Sequence, residues 1–432
     1  MRSVVERDTD IEGAEPPEQA ESPRPGLLAH LPAASFAAFG IYAAVALVAI
    51  PEGTPSPFAR GVALLAIAGG TTIVVVVARW APAWARGSGM LLAGSAMVAV
   101  LAGVVLERAL RAPSVGSILG LVAGLGGVCL VVVGWQHLLV GVRRRWVRVV
   151  AAVVGTVLVA QFLVLPAAVA LTVTNRARPE GSGRTPADLR FAFEDVRLSA
   201  RDGTRLAAWW IPARNGAAVI VLPGSGSTRD DVLDHAAMLA EAGYGALLVD
   251  PRGHGESEGR LMDLGWGAEE DVREAVSSVL DRPEVTGGVG VLGLSMGGEV
   301  ALTAAALDPR IGAVVAEGAT ARTWDDVRGE PNPHPVGIAN EWLTFGLVDM
   351  LAPEEPPMPL LEAIGLIHAP VLLIEGNGPK EPTLGPVYAA AGPETVTLWA
   401  LPDTPHVSAI RVHRDEYERG VLDTFDVLRS RV

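Results

Sequence analysis

Hydrophobic and polar positions divide the chain into two halves with different periodicities. From residue 33 to residue 174 the apolar residues come in long runs with few polar breaks: 33–50, 61–78, 89–106, 115–141 and 148–174. About 20 helical residues cross a hydrocarbon layer of ~30 Å. These five runs therefore predict about five transmembrane helices. After residue 188 the runs shorten to strand length: 193–200, 206–213, 217–224, 245–253, 289–295, 311–318, 370–377 and 395–402. Between them the apolar positions recur at helical spacing. Val232, Ala236 and Leu239 form one such stripe, Val272, Val276, Val279 and Leu280 a second, and Tyr417, Val421, Phe425 and Leu428 a third. The first two runs, joined by Arg-Asp-Gly-Thr, predict an antiparallel hairpin. Most later runs are fully apolar, as parallel strands covered on both faces must be. Strands alternating with helices predict a doubly wound α/β domain on a mostly parallel, eight-stranded sheet.

The boundaries follow from composition. Residues 1–32 form an acidic, Pro-rich stretch with too little apolar surface to fold, and are expected to be a disordered tail. Residues 33–174 are the membrane region, 175–188 a linker, and 189–432 the α/β domain. The net charge of −14, from 34 basic and 48 acidic residues, argues against a nucleic-acid partner, which normally shows as a basic face. The expected partner is the lipid bilayer; oligomeric state leaves no trace in the pattern. The single cysteine, Cys129, reads as a small hydrophobe within a span. Glu107 and His137 fall near span ends. Without intramembrane charge, transport is not the expected task. The densest basic loop holds Arg143, Arg144, Arg145 and Arg148. If it faces the cytoplasm, the chain after residue 174 lies outside, although Arg176, Arg178, Arg184 and Arg190 weigh the other way.

Candidate chemistry centres on VGVLGLSMGGEV (289–300). Ser295 stands in a G-x-S-x-G pattern where a strand meets a helix. A serine on such a sharp turn exposes its hydroxyl above the sheet. The flanking positions must be small because strand and helix nearly touch. Gly293, Gly297 and Gly298 meet that need.

Three segments carry a resemblance: VIVLPGSGSTRDD (219–231), LLVDPRGHGESEG (247–259) and GVLGLSMGGEVAL (290–302). In this order they resemble the α/β-hydrolase superfamily, in its dienelactone-hydrolase-like and acyl-peptidase-like branch. The resemblance covers roughly residues 190–430 and leaves out the membrane half. It implies an oxyanion hole built from the backbone amides of Met296 and Ser225, with Gly224 letting the loop turn close to the nucleophile. Pro223 stands where many relatives have His. Asp250, Arg252 and His254 would brace the loop beneath the site. The catalytic base would be His406, after the eighth strand, with His413 a solvated or capping residue. The acid is less regular: relatives carry Asp three residues after a glycine, and here Pro379 stands three after Gly376. Glu381 is the first candidate, with Glu317 and Glu375 as alternatives.

Residues 320–368 exceed a simple crossover. Trp324, Trp342, Phe345, Leu347 and Met350 form a small lid or pack on the sheet. The expectation is a membrane-anchored serine hydrolase using Ser295, His406 and Glu381 on an ester, thioester or amide of a small-molecule or lipid-like acyl substrate. No metal or organic cofactor is implied. The rivals are a serine peptidase, a fold-only binding module, and a transporter with an accessory domain.

Overall fold

A computed structural model describes residues 81–429 except 107–109, 111–114, 177 and 261. The expected tail at 1–32, the first two expected spans (33–50 and 61–78) and Glu107 lie outside the described residues. The other three spans appear as helices: α1 (Ala83–Val105), α2 (Val115–Leu138) and α3 (Arg145–Asn175). All three are long and apolar enough to cross a bilayer. α1 and α2 pack along their length through glycines. A methyl on Gly94 would stand 2.5 Å from the Gly127 carbonyl oxygen, so the backbones meet directly, as in close membrane helix pairs.

The second half is an eight-stranded sheet with the order β1-β2-β4-β3-β5-β6-β7-β8. The strands are β1 (Glu194–Ser199), β2 (Arg205–Ile211), β3 (Ala218–Leu222), β4 (Gly245–Val249), β5 (Val289–Leu294), β6 (Ile311–Glu317), β7 (Val371–Glu375) and β8 (Val396–Ala400). β1 pairs antiparallel with β2 and β2 with β4; the remaining neighbours are parallel. Each strand falls within an expected run, except that β2 begins one residue earlier, at Arg205. β3 to β7 are buried at every position but one, Gly312 of β6, which explains why their sequences are apolar without alternation.

Nine helices complete the described chain: α4 (Leu233–Glu241), α5 (Ala268–Leu280), α6 (Met296–Leu307), α7 (Trp324–Arg328), α8 (Pro335–Leu351), α9 (Leu360–Leu366), α10 (Glu381–Ala391), α11 (Ala409–Val412) and α12 (Arg414–Phe425). α5, α6, α9 and α10 cover one face of the sheet through Val276, Leu302, Leu360 and Leu384. α4 and α12 cover the other through Leu239, Tyr417, Val421 and Phe425. The chain leaves β3 toward β4 on one side and then adds β5 on the other. The sheet order therefore reverses between β3 and β5, the place where open α/β sheets hold a crevice at their C-terminal edge.

The insert between β6 and β7 divides in two. α9 lies on the sheet core through Leu360 and Ile364. α8 stands away from the sheet and packs on the end of α3, where Val348 joins Ala170, Met262 and Trp266 in one cluster. The 175–188 segment is also held. Ser182 gives its N–H and its hydroxyl to Asp230, and Thr185 and Asp188 form a capping box.

Candidate active site

Ser295 follows β5 directly and caps α6 with φ 51° and ψ −120°. This left-handed backbone is costly for a residue with a Cβ. Two contacts hold it. The Ser295 N–H donates to the Glu317 carbonyl at 2.7 Å, and its own carbonyl accepts the Glu299 N–H at 3.0 Å. The glycines around it are required by contact. A methyl on Gly293 would stand 2.1 Å from the Gly297 carbonyl oxygen, and one on Gly297 would stand 2.6 Å from the carbonyl oxygens of Leu222 and Pro223.

His406 reaches the serine from the loop after β8. Its Nε2 lies 3.0 Å from Ser295 Oγ. Its Nδ1 lies 2.5 Å from Glu381 Oε1. Glu381 is fully buried while the His406 side chain is 37% exposed, so one end of the pair faces solvent and the other the interior. The second carboxylate oxygen of Glu381 accepts the Gly376 N–H at 2.5 Å. A methyl on Gly378 would fall 1.8 Å from Glu381 Oε1; only glycine lets this loop wrap the acid. The hydrogen bond to Glu381 raises the His406 pKa above its ordinary value, against the opposing effect of burial. Three of the five non-glycine residues with positive φ among the described residues belong to this site: Ser295, Lys380 beside the acid and Val407 beside the base. Backbone strain concentrates where three side chains must converge.

Neither alternative acid bonds the imidazole. Glu317, at the end of β6, accepts the Ala409 N–H at 2.9 Å through Oε1. Its backbone carbonyl holds the Ser295 N–H, so it braces both the serine and the segment after His406. Burial pushes its pKa up. Glu375, at the end of β7, is buried beside Glu381; desolvation and the neighbouring carboxylates push its pKa up to about 10. A neutral acid there cannot balance an imidazolium. Both His406 nitrogens are already taken by Ser295 and Glu381.

Met296 is the first residue of α6, where the N–H has no intrahelical acceptor. Ser225 lies in the turn after β3. Gly224 beside it approaches Ser295 so closely that an added methyl would stand 3.3 Å from the serine Cβ. The turn is propped by His254, whose Nδ1 lies 2.8 Å from the Arg252 carbonyl and whose Nε2 accepts the Gly226 N–H at 3.2 Å. Burial lowers the His254 pKa, so it stays neutral and acts as a strut. Asp250 accepts the Arg229 and Glu256 N–H groups. His413 caps α12 through its carbonyl and places Nε2 2.9 Å from the Thr404 hydroxyl.

Three residues near the site carry no motif. Arg322 is fully buried and bonds Glu269 at 2.5 Å, Thr303 at 2.7 Å and the Leu264 and Gly265 carbonyls. Lys380, next to the acid, pairs with Glu330 at 2.5 Å and with Glu341 of α8 at 2.9 Å. Arg176, just past α3, pairs with Asp263 at 3.1 Å and reaches Ser225 Oγ at 3.4 Å. Lone basic residues in loops resemble ordinary surface charges in sequence.

Comparison with known proteins bears on the same half of the chain. Residues 185–344 match the X-Pro dipeptidyl-peptidase (S15) family. That stretch stops inside α8, before the segments carrying Glu381 and His406. Over 128 residues the chain is 38% identical to a polyketide transferase of a Penicillium species, a match spanning 28% of this chain and 43% of that protein. Over 224 residues it is 29% identical to an uncharacterised protein of Mycobacterium tuberculosis, spanning 50% and 73% respectively. An esterase of Pyrococcus furiosus is similar at 26% identity and a TM-score of 0.48, covering 59% of this chain and 100% of that one.

Proposed function

We propose that this member of the α/β-hydrolase superfamily is a membrane-anchored serine hydrolase that cleaves a carboxylic ester or thioester through an acyl-enzyme on Ser295. The observation that carries the reading is the unbroken chain from Ser295 Oγ through His406 to buried Glu381. Ser295 attacks the acyl carbonyl while His406 Nε2 takes its proton. Glu381 holds the Nδ1 proton and stabilises the imidazolium. The carbonyl oxygen becomes an oxyanion, received by the Met296 and Ser225 amides. His406 then protonates the leaving group. Water, deprotonated by the same nitrogen, attacks the acyl-enzyme and frees Ser295.

The membrane part of the reading rests on the three apolar helices, with two further spans expected before them. The basic cluster from Arg143 to Arg148 assigns the start of α3 to the cytoplasmic side. One crossing by α3 then carries the hydrolase domain to the opposite face, however many spans precede it. A lipid-like acyl substrate fits that location.

The test is fluorophosphonate labelling of the full chain in membranes, followed by an ester and thioester panel. We expect wild-type labelling and its loss in Ser295→Ala, with turnover lowered at least about a thousandfold. A folded wild type that resists the probe would refute the enzyme reading. The S15 family match favours a second reading, peptide cleavage by the same serine. Faster turnover of X-Pro p-nitroanilides than of esters would select it.

A further inference from the structure

α8 is unusual for a helix beside a crevice. Its 17 residues include two ionisable side chains, Glu341 and Asp349, and Glu341 is paired with Lys380. Successive residues turn by about 100° around a helix. Glu341 and Val348 share the inner side, one toward the acid loop and the other buried against Ala170 of α3. The opposite arc carries Val336, Trp342, Gly346 and Met350. Trp342 is 59% exposed and Met350 80%. An apolar arc of this kind on a protein surface marks a contact.

The length of α3 says what covers it. Its 31 residues extend about 46 Å at 1.5 Å per residue, well beyond a hydrocarbon core of ~30 Å. With Arg145 and Arg148 at one interface, about 20 residues of span end near Ala168 to Ala170. That is the level at which α8 docks, through Val348 and Leu347 against Ala170 and Val173. Leu165 and Val169, one turn apart on α3, are themselves exposed apolar residues at this level. Both helices thus leave apolar side chains bare where they meet.

On the membrane-anchored reading above, we propose that α8 is a second membrane contact. It runs beside the end of α3, in contact with residues 160–175, with the Val336–Trp342–Met350 arc meeting the lipid of the leaflet that α3 leaves. Through Lys380 this contact reaches the loop that holds Glu381, so the site is seated against the leaflet.

The test uses the full chain in phosphatidylcholine nanodiscs. A nitrobenzoxadiazole label is placed on Met350→Cys or, should that variant misfold, on Val336→Cys, both in a Cys129→Ser background. The controls are the label on native Cys129, exposed on α2, and on Glu394→Cys at the far edge of the sheet. Lipids bearing a shallow nitroxide should quench the α8 label by half or more, with blue-shifted emission, and leave position 394 unchanged, while lipids bearing a deep nitroxide should quench Cys129, which lies midway along α2. An α8 label as unquenched as position 394, with Cys129 quenched, overturns the proposal alone. A blue-shifted but unquenched label would assign the arc to a protein partner and equally overturn it. If Cys129 also escapes quenching, the membrane anchor falls with it.

Discussion

Glu381 and Glu317 are both buried beside His406, and their hydrogen bonds separate them. Glu381 spends one oxygen on the imidazole and the other on the Gly376 N–H, whereas Glu317 spends its bonded oxygen on the Ala409 backbone. Glu381→Gln should therefore lower kcat about a thousandfold or more. Glu317→Gln keeps an oxygen for Ala409 and should change kcat severalfold at most. Steady-state kinetics on one activated ester compares them. The same hydrogen bond sets the pH response. His406 works as a base only when neutral, and Glu381 raises its pKa. Activity should thus fail, as pH drops, at a higher pH than an ordinary histidine would give. In Glu381→Gln this acid limb should move to lower pH, read from kcat/KM profiles. Ser295 and its glycines were legible because strand-turn-helix stereochemistry forces small residues at fixed offsets. Glu381 was less legible, because it stands two residues beyond the place where relatives carry Asp.

Among the elements, the eight strands could be read from the pattern because burial on both faces makes the inner ones apolar and turns bound them sharply. The packing of α8 could not. Its sequence states that it has an apolar face, but not that the face divides between α3 and the outside. Arg322 is the tie that fixes the neighbouring elements. It joins the loop before α5, the Thr303 hydroxyl of α6 and the segment leading into α7, with Glu269 as its buried counter-ion. Nothing near it in sequence discloses these partners, because they lie tens of residues away. Arg322→Ala leaves Glu269 buried without its cation and should cost about 3–5 kcal/mol. Arg322→Met with Glu269→Leu removes both charges and should recover most of that loss. Denaturant unfolding of the purified full chain in one detergent measures both.

For the whole molecule, the junction of the two halves matters more than either composition suggests. Carbonyls at a helix end lack intrahelical partners. Here the domain supplies them: the Val173 carbonyl accepts the Asp263 N–H at 2.9 Å, and the Thr174 carbonyl accepts the Arg260 guanidinium at 2.7 Å. Arg178 then grips the carbonyls of Gly255, Ser257 and Gly259. A Gly-Ser hexapeptide inserted between Asn175 and Arg176 should leave turnover of a short soluble ester within about twofold. It should lower turnover of a long-chain ester residing in the same vesicles tenfold or more. Equal effects on both would show that the rigid joint serves stability only. If the chain is anchored as proposed and the joint is as rigid as its bonds make it, Ser295 works at one altitude above the lipid. Its search for substrate is then a walk on a plane, paced by lateral diffusion and by the number of molecules per unit area rather than per unit volume.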